Sequence, residues 1–249
     1  MTQPRPILLM TRPPDQAAAF VRTVTCDAEA PDCETLYAPL FEIVPKGDLP
    51  ELGQFDHLIF TSGNGVAAFA DALGAVAPPA IPAWCVGDAT AAAARALGLE
   101  ARSAKGDADR LVKTMRDAGV TGRGLHLRGH HARGNVAGRL TAAGLPTDDV
   151  VIYDQRARPL TSEACAALDG TRPVVLPIFS PRSARLLAER TTRAPLLVVA
   201  MSDSVAKAAA ALHMTEISVA RRPNAQEMRA LTVEMLQKAT ALEGPRPEV

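Results

Sequence analysis

The stretch IFTSGNGVAAF, Ile59 to Phe69, ends an apolar run abruptly in Thr61, Ser62, Gly63, Asn64 and Gly65, then resumes as an alanine-rich helical pattern. Gly, Ser and Asn are what a turn between a strand and a helix is made of. The same residues leave small hydroxyls and bare backbone N–H groups where a strand stops and a helix starts, which is a ready site for an anion. Either account requires a strand, a tight turn and a helix at this point.

The pattern repeats along the chain. Short apolar runs PILLM, ETLY, DHLIF, AWCV, GLHLR, DDVVIY, PVVLPIF, LLVVA and EISVA alternate with helical periodicity. That alternation is the signature of an α/β fold with parallel sheets. The helix after Asp107 carries Leu111, Val112, Met115 and Ala118 on one face and stops at Gly119; the next carries Val136 and Leu140 and stops at Gly144. The last opens with NAQE, where Asn224 can cap and Glu227 can return a bond to the cap's own N–H. Its Met228, Leu231 and Met235 face the core, and the tail after Leu242 is expected to fray.

Strand ends reveal an internal repeat. Arg12, Ser62 and Thr90 follow one another at strand ends, as Arg128, Ser180 and Ser204 do later, with 50 and 28 positions between the first three and 52 and 24 between the second. Such a repeat implies two similar lobes with a ligand cleft between them. Two β-like runs that end in proline and charge, LYAPLFEIVPKGDLP and VVIYDQRARPL, read as crossings that pair in a two-stranded ribbon. The expected domains are 1–37 plus 155–249, discontinuous, and 42–151, inserted, with linkers near 36–45 and 148–158.

Composition narrows the function. The 249 residues are 47% hydrophobic, with 27 basic and 27 acidic side chains and a formal net charge of zero. No global field attracts nucleic acid or an anionic membrane. The apolar run in MTQPRPILLM is too short for a signal peptide or membrane span, which points to the cytoplasm. Cys26, Cys33, Cys85 and Cys165 are scattered, fit neither a disulfide frame nor a zinc site, and read as small buried apolar residues. CVGDAT lacks the GxGxxG spacing, and no GxxxxGK[ST], GxSxG or HExxH occurs.

What remains is a set of hydroxyl-bearing turns at strand ends. Any one of them is also an ordinary helix cap; four on two lobes suggest an anion-binding cleft. LRGHHARG gathers Arg128, His130, His131 and Arg133 past a strand end, either a grip for carboxylates or a solvated loop. Adjacent histidines point apart in most backbone conformations, which argues against a metal site built from His130 and His131 alone. His57, His126 and His213 show no partners, and Trp84 reads as core. Tyr153, one of two tyrosines, lies where the ribbon crosses: it either packs or donates a hydrogen bond to a leaving oxygen.

The segments MTRP, FTSGNGV, CVGDATAAAARALGL, KGDADRLV, LRGHHARG, VVIYDQ, FSPRSA and SDSVAKAA, in this order and at these separations, resemble uroporphyrinogen-III synthase over about residues 7 to 240. The resemblance implies two flavodoxin-like parallel-sheet domains joined by a two-stranded β ladder, with a cleft between them. It implies a cytoplasmic, monomeric lyase of haem biosynthesis that cyclises hydroxymethylbilane to uroporphyrinogen III without a cofactor or metal, losing water and inverting the last pyrrole ring. Its partners would be that small-molecule substrate and, transiently, the preceding pathway enzyme, with neither nucleic acid nor membrane. Tyr153 matches the family's tyrosine proposed as donor to the leaving oxygen. Thr61, Ser62, Asn64, Thr90, Ser180, Ser183, Ser202 and Ser204 match its cleft-lining strand ends, and Arg12 and Arg128 its basic positions. The rival reading is a non-catalytic two-lobed module for a small anion, which would lack turnover.

Overall fold

The computed structural model describes residues 5–132 and 134–242. The chain opens with β1 (Ile7–Met10), α1 (Pro14–Thr25) and β2 (Glu34–Tyr37). Next come β3 (Phe41–Pro45), β4 (His57–Phe60), α2 (Gly63–Leu73), β5 (Ala83–Cys85), α3 (Asp88–Ala96), β6 (Ala101–Ser103), α4 (Ala108–Asp117), β7 (Gly124–Gly129), α5 (Val136–Ala142) and β8 (Thr147–Ala157). It closes with α6 (Ser162–Asp169), β9 (Val174–Ile178), α7 (Pro181–Ala188), β10 (Leu196–Ala200), α8 (Asp203–Ala208), β11 (Glu216–Val219) and α9 (Ala225–Leu242). Two compact units result, Met1–Glu42 with Ala157–Val249, and Ile43–Arg156.

The first unit holds a sheet ordered β2-β1-β9-β10-β11, every adjacent pair parallel. Every residue of β1, β9 and β10 is buried, because both faces of a parallel sheet are covered. Phe20 and Val24 of α1 and Met228 and Met235 of α9 cover one face. Leu168 of α6, Leu187 of α7 and Val205 of α8 cover the other.

The second unit's sheet is ordered β8-β7-β4-β5-β6, again parallel throughout, with β3 outside β8. Phe60 and Leu127 pack with Val66 and Phe69 of α2 and Ala91 and Ala94 of α3. On the opposite face Ile59 and Trp84 pack with Leu111, Met115 and Leu140, so Trp84 is a core residue. The chain passes between the units at Glu42–Ile43 and Arg156–Ala157. Both passages fall within the neighbouring strands β3 and β8, where Lys46 N–H donates to the Ile152 carbonyl and Arg158 N–H to that of Leu40.

All nine expected strands form. The sequence pattern omitted β6, which is only three residues with one buried side chain. Gly119 and Gly144 stop α4 and α5 with φ of 62° and 92°, a left-handed conformation that a side chain would strain. At α9, Asn224 accepts the Glu227 N–H at 2.8 Å as expected. Glu227, however, accepts the Arg221 N–H rather than that of Asn224, whose own N–H goes to the Arg222 carbonyl. Of the four cysteines only Cys85 is buried, its thiol pushed up to about 11 by desolvation, while Cys26 is exposed at the end of α1. The tail expected to fray lies outside the described residues. Among those residues no helix is long and apolar enough to cross a membrane.

Candidate functional site

Parallel strands deliver their C-terminal ends to one edge of a sheet, and a crevice opens where successive connections leave a central strand to opposite sides. In the second unit that reversal falls between β4 and β7. A pocket of about 500 Å³ lies there. Thr61 and Ser62 beyond β4, Gly106 and Asp107 before α4, Gly129 of β7 and Tyr153 of β8 are among its lining residues.

Ser62 is the N-cap of α2: its hydroxyl accepts the Gly65 N–H at 3.2 Å and lies 2.9 Å from the Tyr153 phenol oxygen. The phenol is 6% exposed. Burial pushes its pKa up, outweighing the hydrogen bond with Ser62 that opposes the shift. Tyr153 therefore holds its proton throughout the neutral range, as a hydrogen-bond donor must. Its direction is set by a β-bulge: Arg128 stands opposite Val151 and Gly129 opposite Tyr153, so Ile152 is the extra residue. The bulge presses the phenol ring onto Gly129, where a Cβ would come within 2.6 Å of the ring.

Behind the pocket runs a polar chain. His126, buried in β7, shares a hydrogen bond through Nδ1 with Asp149 Oδ1 at 3.0 Å, and its Nε2 lies 3.4 Å from the Thr61 hydroxyl. Arg128 donates its Nε to the other Asp149 oxygen at 2.5 Å and its Nη1 to the carbonyls of Gly129 and His130. Burial works to raise the Asp149 pKa, but the bonds from His126 and Arg128 overcome it and hold the carboxyl below its usual range. A depressed carboxylate stabilises the fold above its unfolded pKa of about 4, and that contribution is lost as pH falls through the folded value. Asp149→Asn is therefore expected to lower unfolding free energy at pH 7 by about 1–2 kcal/mol, the low end for a charged hydrogen bond because the carboxylate is a third exposed. Urea unfolding should show that deficit shrinking at pH 3; an equal deficit at both values would contradict the assignment.

The remaining sequence candidates fall into two groups. In the second unit, Asn64 lies in the first turn of α2, Thr90 is buried as the third residue of α3, and Arg128 is turned onto Asp149 and backbone. In the first unit, Arg12 and Ser180 follow β1 and β9, the adjacent strands flanking that sheet's own reversal. The Arg12 guanidinium lies 4.1 Å from the centre of the Phe179 ring and donates to Gln16 at 2.7 Å. Ser180 caps α7 by accepting the Ser183 N–H at 3.0 Å, and the two hydroxyls lie 2.8 Å apart. Ser202 and Ser204 form a second hydroxyl pair at 2.9 Å at the start of α8.

Sequence reasoning missed Gly129 and Asp149, and left His57 and His126 without partners. His57 in fact bonds the Thr121 carbonyl at 2.6 Å. A histidine inside the apolar strand GLHLR is itself a signal, since a buried polar group needs a partner. Only the register of β7 on β8, which sets His126 opposite Asp149, identifies that partner.

A family model described as uroporphyrinogen-III synthase HemD matches residues 24–230. No curated protein matches the chain. Among solved structures, the chain is similar to the uroporphyrinogen-III synthetase of Helicobacter pylori 26695, at 16% identity over 93% of this chain and 99% of that one, with a TM-score of 0.65. It is also similar to a mutant uroporphyrinogen III synthase from the extremely thermophilic bacterium Thermus thermophilus, at 14% identity over 95% and 99%, with a TM-score of 0.52. At these identities the likeness establishes the fold.

Proposed function

From its membership of the uroporphyrinogen-III synthase family, which the family model establishes over most of the chain, we propose that this protein cyclises hydroxymethylbilane to uroporphyrinogen III. The observation that carries the reading to particular atoms is the half-buried Ser62–Tyr153 hydrogen bond in a pocket at the C-terminal edge of a parallel sheet.

In this reading the hydroxymethyl oxygen leaves as water, and the resulting azafulvene attacks the substituted carbon of the last ring through a spiro intermediate. Electron-rich pyrroles supply most of the drive. The protein holds the chain so that the correct carbon is attacked, and keeps water from the reactive cation. Tyr153, protonated and oriented by Ser62, donates to the departing oxygen. Thr61, Ser62, Asn64 and Thr90 of one domain and Ser180, Ser183, Ser202 and Ser204 of the other, with Arg12 and Arg128, are proposed to bind the substrate carboxylates, largely through backbone N–H groups at the helix starts. The arrangement is proposed for a cytoplasmic monomer of two domains, 1–37 plus 155–249 and 42–151, in transient contact with the preceding enzyme.

Incubation of hydroxymethylbilane with the protein, followed by separation of the isomers, is expected to give the type III product. Only the type I isomer of spontaneous closure would overturn the reading. Turnover is also expected to be unchanged by chelators and by added nicotinamide cofactors; loss of activity on chelation would contradict a cofactor-free reaction.

A further inference from the structure

Adjacent histidines on an extended strand point to opposite faces, but His130 and His131 follow the bulged end of β7 in a turn. There one donor atom each from His130, His131 and Asp154 lies within 4.8 Å of the other two. Among the described residues, this is the one group of three or more His, Cys, Asp or Glu side chains with that geometry. His131 Nε2 stands 3.7 Å from Asp154 Oδ1, and the two imidazole rings meet edge to face with centroids 4.8 Å apart. The backbone beneath is fixed: His130 N–H donates to the Tyr153 carbonyl at 2.9 Å, Arg128 to the His130 carbonyl, and Gln155 N–H to Asp154 Oδ1 at 2.8 Å.

We propose that His130, His131 and Asp154 bind one divalent transition-metal ion of the zinc class. Two imidazoles and a carboxylate are a donor set that such ions take with bonds of about 2.0–2.2 Å, leaving a position for water or another oxygen. Tetrahedral bonds of that length put donors roughly 3.4 Å apart. Closing from 4.8 Å asks for about 1 Å of movement from each of two exposed imidazoles, which rotation of their side chains provides. Asp154 offers Oδ1, 3.7 Å from His131 Nε2, where the bond from the Gln155 N–H orients the carboxylate and leaves a lone pair for the ion. Because His131 also lines the pocket and Tyr153 precedes Asp154 in the strand, the ion sits at the pocket rim. The ion has no part in the proposed cyclisation, so the two readings stand or fall separately.

The test titrates the metal-free protein with Zn²⁺ alone by calorimetry, and with paramagnetic Co²⁺ by NMR of the histidine C2–H resonances. One ion per chain with a micromolar dissociation constant is expected, weakened at least tenfold in His131→Ala and in Asp154→Asn and unchanged in Cys26→Ser. Co²⁺ should broaden the His130 and His131 resonances and leave sharp that of His57, which stands opposite Gly124 at the other end of β7. Absence of binding, affinity unchanged by both variants, or binding lost in Cys26→Ser would each overturn the assignment.

Discussion

Tyr153→Phe is expected to lower turnover by several-fold to about a hundredfold, the range of a positioned proton donor, while leaving KM within a few-fold of its starting value. The phenol oxygen is the ring's one polar atom, and its hydrogen bond is to Ser62. After the substitution the Ser62 hydroxyl still accepts the Gly65 N–H and still caps α2. Stability should therefore change by no more than about 0.5–1.5 kcal/mol, the net worth of one hydrogen bond. Steady-state kinetics with freshly prepared hydroxymethylbilane, alongside a urea titration, separates the two effects. Unchanged turnover would reduce Tyr153 to packing.

The second large effect concerns a residue with no side chain. A Cβ on Gly129 would lie 2.6 Å from Cζ of Tyr153, 2.7 Å from Cε2 and 2.9 Å from the hydroxyl oxygen. Carbon atoms do not approach so closely, and the ring is packed among Phe60, Leu127 and Ile152 rather than free to swing away. Gly129→Ala should displace the phenol from Ser62 and cost about 1–3 kcal/mol of stability, as overpacking does. Turnover should fall at least as far as in Tyr153→Phe. The decisive measurement is the double variant: if Gly129 acts through the phenol, Gly129→Ala in the Tyr153→Phe background adds little further loss. Full additivity would mean that Gly129 serves some other purpose.

Much of this was legible in the sequence, and for a physical reason. Runs such as PVVLPIF and LLVVA, too short for helices, can be buried on both faces only inside a parallel sheet. Ser62 and Ser180 declare themselves because a hydroxyl between an apolar run and a helical pattern has few other uses, and both do cap their helices. Tyr153 was legible as a candidate through its position, but its partner was not. The Ser62–Tyr153 contact joins residues 91 apart, and it depends on a bulge at Ile152 that no local preference announces. Asp149 was hidden for the same reason, because one-residue slippage of β8 on β7 would have turned its side chain away from His126. Arg128 was likewise legible as a basic position in LRGHHARG, but only the neighbouring strand shows that its Nε donates to Asp149.

The strand orders have a further meaning. Leaving aside β3 at the edge of the second sheet, each sheet is a pair followed by a trio: β2-β1 beside β9-β10-β11, and β8-β7 beside β4-β5-β6. Along the chain the pieces come as pair, trio, pair, trio, yet the first pair completes its sheet with the last trio, and the first trio with the second pair. The molecule is two tandem copies of one plan that have traded halves within a single polypeptide, as domain-swapped partners do between two. This is why Arg12 and Ser62 recur as Arg128 and Ser180 although each of those couples is split between the two sheets. It also imposes a schedule on a chain made from its N-terminus. The middle unit has all its strands in hand once Arg156 is made, whereas β1, buried at every residue, waits for β9 on the far side of that unit. β1 meets β2 early, but its other edge stays open until β9 is made.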